Sequence, residues 1–494
     1  MSLTLRDAAA AMSEELTALS GGEQATLIAR REISPVELVR AYLARIEASD
    51  DTLRAWITVD GERALAAART AESEIAAGRY RGALHGIPYG VKDQMHAVGF
   101  PTTLATRVLD PEEMVAPHNA AVIERLDAAG AILLGKQNLH EFGKGGTIDF
   151  PYGQPRNPWN PAYSASSSST GSGIAPAARM CTFSLGEDTG GSVRGPAAMN
   201  GVAGLRPTYG RVSRYGAVME AYTTDTIGPL ARSVADIATV LGAIAGHDPR
   251  DPLTSPRPVE DYAAGLGRPL KGRRLAIVRE IAWGPGTTDE VKTVFAAAVE
   301  VLRGLGAEIE EVSLPLALYA VPLQLLSTDA DVAATFVKKY LRERYERFDT
   351  GTRTRLAASS LIPATVYNRA MRARAIVRQQ VLDAVRRYDA LIGPTMIRPT
   401  KPIEQEQEKV ESSDEAVMRL MERRIGVYPF SLANVPALSV PMGFCANGLP
   451  LALQFAGKPF DEATLLNIAY GYEREAGWWR QLPDLERTLA PMAA

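Results

Sequence analysis

A serine cleaves an acyl bond when a base can take its proton and hydrogen-bond donors can hold the oxyanion. Gly190-Gly191-Ser192 supplies a nucleophile and donors together. The two glycines let the chain turn so that successive N–H groups point inward, which offers the amides of Thr189, Gly190, Gly191 and Ser192 to a carbonyl oxygen. The base this chain offers is a lysine. Lys92 lies in the apolar strand that begins at Ile87, flanked by Gly90, where an ammonium is poorly solvated and gives up its proton more easily. Strand alternation sends Asp93 to the opposite face, so it need not repair that loss. A Ser-His-Asp site is disfavoured, because Gly190-Gly191-Ser192-Val193-Arg194 lacks the second glycine of a G-x-S-x-G elbow.

Other motifs lead away from chemistry. Gly130 to Lys136 has the spacing of a phosphate-binding loop, but Gln137 stands where a metal-binding hydroxyl belongs and the interior Ala131-Ile132-Leu133-Leu134 reads as a buried strand. His140-Glu141 begins an HExxH pattern, yet Lys144 replaces the second histidine, so no zinc site is expected. His85, His96, His118 and His247 have no ligand spacing. Neither a metal nor a cofactor is expected.

The elements that must position these residues alternate. The segment 26–48 has helical periodicity, with Ser34-Pro35 as N-cap and first-turn proline, and the whole of 1–80 reads as helical. Short apolar runs bounded by glycine at 86–95 and 129–138 read as buried strands, with a helix at 122–130 before the second. The segments 273–279 and 388–396 read as strands, the first followed by a helix to Leu305, and 315–385 reads as helical. The charged segment 400–425 reads as an exposed helix or loop insertion. Two glycine-rich loops, 164–173 and 186–196, flank the apolar Phe183-Ser184-Leu185-Gly186 and look like backbone brought close to a ligand. The pattern is α/β.

With 54 Lys+Arg against 57 Asp+Glu, the net charge of −3 includes no long block of either sign, so neither nucleic acid nor a membrane surface is an expected partner. No apolar run is long enough to span a bilayer, the segment 1–20 has no export signal, and Cys181 and Cys445 suit two buried thiols in a reducing compartment. A cytoplasmic setting is expected.

Residues 164–207, ending in GEDTGGSVRGPAAMNGVAGLRPT, resemble the amidase signature, and GIPYGVKD resembles that family's lysine segment. The likeness extends to SPVELVRAYLARIE, GAILLGKQNLHEF, TYGRVSRYG, DTIGPLARSVAD and GLPLALQFAGKPFDEATLL, and so spans most of residues 26–475. It implies a Ser-cisSer-Lys triad: Ser192 as nucleophile, Lys92 as base, and between them Ser168, the serine that the family's spacing back from the nucleophile selects. It further implies that Asp188 and Arg194 brace the loop, and that the fold is a single large mixed β-sheet covered by helices on both faces. The parts expected within that one core are an N-terminal helical layer at 1–80, the signature core at 81–310, a variable helical pocket region at 311–430, and a C-terminal return to the core at 431–494. Members of the family are often homodimers.

The sequence departs from the family where GGSSGGS is common, since Ser166 to Ser172 replaces three of those glycines by hydroxyl residues. Lys144, Gly145 and Gly146 fall where related amidotransferase chains line the substrate pocket, with Lys144 in place of an apolar Met. Two functions follow. One is a stand-alone amidase acting on a small carboxamide, anilide, hydrazide or carbamate. The alternative is the glutaminase A subunit of a glutamyl-tRNA(Gln) amidotransferase, which TYGRVSRYG resembles. The first is preferred, because LSTDADVAATFVKKYLRERYERFDTG lacks the RYDG-type segment usual in the glutaminase branch.

Overall fold

The computed structural model describes residues 14–406, 412–415, 418 and 424–489. Among these, eleven strands form one mixed sheet: β1 Trp56–Val59, β2 Pro88–Lys92, β3 Ile132–Gln137, β4 Phe183–Glu187, β5 Ala203–Arg206, β6 Ile227–Ala231, β7 Arg274–Val278, β8 Glu308–Val312, β9 Ala390–Pro394, β10 Ala437–Phe444 and β11 Pro450–Ala456. Their order across the sheet is β1-β3-β2-β4-β6-β5-β10-β11-β9-β7-β8. β2 runs parallel to both β3 and β4, and β7 runs parallel to β8 and β9; the remaining pairs are antiparallel. Every residue of β2 and β4 is buried, which is why both strands appear as continuous apolar runs rather than as an alternation.

One apolar cluster ties the sheet to helices packed on it. It runs from Leu38 and Tyr42 through Val91 and Phe183 to Leu241, Phe295 and Leu465. The helix Pro35–Leu53 starts where Ser34-Pro35 places it. Ser34 Oγ accepts from the Glu37 amide at 3.1 Å and Glu37 Oε2 accepts from the Ser34 amide at 2.7 Å, a reciprocal cap. A smaller cluster, with Phe142, Val332, Phe336, Phe348 and Leu356, lies apart from this core and packs the segments above the strand ends.

The strands expected at 86–95, 129–138, 273–279 and 388–396 are present as β2, β3, β7 and β9. The expectation that 1–80 is helical throughout is corrected by β1. Trp56-Ile57-Thr58-Val59 is too short to interrupt a helical pattern, and it becomes a strand by pairing with β3, a partner far along the chain. The region 315–385 is helical but broken, with π-helical turns at Leu325–Asp329 and Val337–Leu341 before the longer helices Thr350–Ser360 and Ala364–Arg387. The reading of 400–425 as an exposed insertion lies partly outside the described residues, and the part of the expected N-terminal helical layer at 1–13 lies outside them. Cys181 and Cys445 are buried and form no disulfide. No helix among the described residues is long and apolar enough to cross a membrane.

Candidate active site

Two neighbouring parallel strands end in opposite charges. β2 ends at Lys92 and β4 at Glu187, both with fully buried side chains, and Lys92 Nζ lies 3.1 Å from Glu187 Oε2. The ammonium also donates to Ser168 Oγ at 2.9 Å. Asp93 turns to the other face, as strand alternation requires, and pairs there with Lys136 at 2.7 Å. The expectation of a lysine with no carboxylate to compensate its burial is nevertheless corrected, because Glu187 compensates it from the next strand. No spacing in the sequence announces this: the two residues are 95 positions apart and meet only through sheet pairing.

Glu187 joins three parts of the site, the lysine, the loop after β4 and the serine run. Its Oε1 accepts from Thr189 Oγ1 at 2.8 Å. Its main chain exchanges hydrogen bonds with Ser169 Oγ at 3.0 and 3.1 Å, which clamps the serine run against β4. Within that run the Ser167–Ser168 peptide is cis. The Ser169 amide then donates to the carbonyl of Ser192 at 3.3 Å, so the two loops meet back to back. Each leads into a short buried helix, Thr170–Ala177 and Arg194–Asn200, whose small residues fit against the sheet. The loop 164–173 is therefore built into the core and does not act as a linker.

The turn at Ser192 is held by Asp188. Its carboxylate pairs with Arg194 and Arg206, each at 3.1 Å, and accepts from the amides of Gly191 at 2.8 Å and Val193 at 3.2 Å. Burial pushes this carboxyl up, but the two guanidinium groups outweigh it and hold it well below the usual carboxylate range. Arg194 extends the brace to Gln454 Oε1 at 2.7 Å and Ser431 Oγ at 2.6 Å. Gly191 adopts φ +104, and a Cβ there would lie 2.6 Å from Val427, so only glycine makes this turn. One donor of the expected oxyanion set is thereby reassigned. The Gly191 amide is directed to Asp188, because the turn that points its neighbours inward points this N–H back to the brace. The amides of Thr189, Gly190 and Ser192 have no acceptor among the described residues.

Ser192 opens into a chamber of about 40 Å³ lined also by Thr189, Gly190, Lys144, Glu220 and Asp329. Lys144 is therefore a buried pocket residue and not a solvated side chain, paired with Asp329 at 2.7 Å; Arg355 lies 3.4 Å from the same carboxylate. Gly145 contributes its carbonyl, which accepts from Arg355 at 2.9 Å, and Gly146 lines a second chamber of about 180 Å³ with His140, Ser166 and Ser167. Arg355, Arg424 and Tyr428 border both chambers. Arg424 binds Ser167 Oγ at 2.8 Å and so joins the roof to the cis-peptide loop. The larger cleft between Ser20 and Trp479, about 490 Å³, contains none of these residues.

Two residues of the broken zinc motif are structural neighbours of the site. His140 accepts at Nδ1 from the Thr147 amide at 3.1 Å, and burial, with Arg424 and Lys92 nearby, lowers its pKa to about 3, so the ring is neutral. Glu141 accepts from Thr106 and the Asp349 amide, and burial raises its pKa to about 7. The sequence reading missed Glu187, Glu220, Asp329, Arg355 and Arg424. Glu187 sits inside the quoted motif next to Asp188, but the others come from segments distant in the chain.

The chain is similar to known proteins over most of its length. The Amidase family model matches residues 37–466. The chain is 39% identical over 482 residues to the A subunit of the glutamyl-tRNA(Gln) amidotransferase of Thermosynechococcus vestitus, covering 93% of this chain and 98% of that one. Among solved structures it is similar to the peptide amidase of Stenotrophomonas maltophilia, with a TM-score of 0.82 and 31% identity over 94% of this chain and 98% of that one. It is also similar to a 6-aminohexanoate cyclic dimer hydrolase complexed with substrate, with a TM-score of 0.85 and 27% identity over 95% and 99%. A mixed sheet of this order, a buried lysine bonded to a serine on a cis peptide, and a family match over most of its length together place the chain in the amidase family.

Proposed function

We propose that the chain hydrolyses a C–N acyl bond through an acyl-enzyme on Ser192. The observation that carries the reading is the hydrogen bond of 2.9 Å from Lys92 to Ser168 Oγ, on a cis peptide packed against the Ser192 loop. In its neutral form Lys92 takes the proton of Ser168, which takes that of Ser192 as Ser192 Oγ attacks the carbonyl carbon. The amides of Thr189, Gly190 and Ser192 hold the oxyanion. As the C–N bond breaks, the proton returns through Ser168 to the leaving nitrogen. Water, deprotonated by the same relay, then hydrolyses the ester and frees the acid. Asp188 and Arg194 keep the loop in shape and exchange no proton.

The similarities favour glutamine as the amide more than they favour the stand-alone amidase preferred from the sequence. The relative at 39% identity is part of an amidotransferase, whereas the peptide amidase and the cyclic dimer hydrolase stand at 31% and 27%. On that reading the chain releases ammonia from glutamine as the A subunit of a glutamyl-tRNA(Gln) amidotransferase. The stand-alone reading is favoured by one observation: Thr328, Asp329 and Val332, which roof the Ser192 chamber, come from the segment 326–351 that lacks the RYDG-type sequence. A fluorophosphonate should label wild type and not Ser192→Ala; equal labelling of both would sink the acyl-enzyme. Ammonia release from glutamine only with the other amidotransferase subunits added would select the first substrate reading. Turnover of simple amides by the chain alone would select the second.

A further inference from the structure

The chamber at Ser192 is small, and its roof is polar. Glu220, Gln324 and Thr328 line it together with Ser192, and each is no more than 3% exposed. Each carries an oxygen that finds no partner among the described residues: Oε1 of Glu220, Oε1 of Gln324 and Oγ1 of Thr328. A buried polar oxygen without a partner is costly. Three such oxygens around one nucleophile are more than loose packing explains.

The backbone supports their grouping. Gln324 closes the helix Ala320–Gln324, and Thr328 and Asp329 belong to the π-helical turn that follows, a form often found where side chains must be re-aimed at a site. The charges nearby are already used. Lys144 and Asp329 pair with each other, and Arg355 leans on the same carboxylate. Burial, reinforced by the Glu187 carboxylate, pushes the Glu220 carboxyl well above its ordinary range. Three buried polar oxygens left without partners call for a polar group in the chamber.

We infer that this chamber is an acyl subsite for a small polar group that exchanges hydrogen bonds with these oxygens, so that the acyl part of the substrate is polar and not alkyl. A site built to hydrogen-bond its substrate discriminates strongly against an analogue lacking that group, because its own polar groups are then left unpaired. The inference rests on the amidohydrolase reading of Ser192.

The test compares malonamide with isovaleramide, which has the same heavy-atom shape with two methyl groups in place of the second carboxamide's oxygen and nitrogen. Each is used to protect Ser192 of the full-length chain from a fluorophosphonate and is assayed for hydrolysis. Malonamide should protect at a concentration about tenfold lower or better, with a matching advantage in any kcat/KM. Glu220→Leu should erase that advantage, and Glu220→Gln, which keeps an oxygen in place, should retain it; Gln324→Leu gives an independent second reduction. Equal protection, better protection by isovaleramide, or protection by neither overturns the inference. Ser192 that takes no label overturns the amidohydrolase reading and the inference with it, whereas labelling without the polar preference overturns the inference alone.

Discussion

The floor of the site and its roof are built on different principles. The floor consists of the ends of β2 and β4 and the two loops that follow β4 and precede the helix Thr170–Ala177, and its charges are buried in matched sets: Lys92 with Glu187, and Asp188 with Arg194 and Arg206. The roof consists of two 3-10 turns, two π-helical turns and short helices between residues 315 and 360, joined to the floor through contacts such as Lys144 to Asp329, and Arg424, from a later segment, binds Ser167. Strand ends in a close-packed sheet fix atoms to the tolerance that proton transfer needs. Irregular helices can change their lining without disturbing that machinery, so one floor serves different amides.

This comparison can be broken most sharply at the floor. Ser192→Ala should lower kcat by about 10⁴-fold or more with the fold intact, and Lys92→Ala by a similar order, since members of a catalytic unit each carry nearly the whole effect. A fully active Lys92→Ala variant in steady-state assays would rule out the lysine base. Asp188→Ala leaves two buried guanidinium groups without their shared anion and should cost about 3–5 kcal/mol of stability. Denaturant unfolding measures it, and a loss below about 1 kcal/mol would mean the brace is not needed.

At the roof the expected effects are smaller and fall on binding. Lys144→Met removes one of two cations on Asp329, leaving Arg355 to answer it, so we expect KM to change by about tenfold with Ser192 labelling preserved. Equal loss of labelling would show that floor and roof are not separable. A separate effect falls on pH dependence, at Asp225, whose carboxylate accepts from the amides of Glu220 and Ala221. Burial and the Glu187 carboxylate raise the Asp225 pKa to about 8. The folded chain therefore keeps a proton that the unfolded chain releases above about pH 4. The unfolded state binds fewer protons across that window, so stability falls as pH rises from about 4 to about 8. Thermal melts should show a Tm that declines over this range and a flatter profile for Asp225→Asn; a Tm rising with pH would contradict the assignment.

Much of the floor was readable from residues in sequence order. The glycines before Ser192, the apolar run before Lys92 and the α/β alternation are local patterns, and local patterns survive in one dimension. Ser168 came from resemblance and spacing rather than from its own surroundings, since it is one of four consecutive serines. Glu187 was in plain view yet silent, because its meaning depends on which strand lies beside β4. The short strand β1 was hidden for the same reason.

What the sequence determined by itself is the set of candidate groups and the fold class: a serine preceded by two glycines, a lysine in an apolar strand, and an α/β alternation that carries them. What only the tertiary structure decided is the electrostatic company those groups keep and the shape of the space before them. Lys92 meets Glu187 across 95 residues and Lys144 meets Asp329 across 185. A period of two or of 3.6 residues states which face a side chain occupies, but not which distant face is packed against it. The base's partner, the Gly191 amide's true acceptor and the polar roof therefore emerge only once the sheet is assembled.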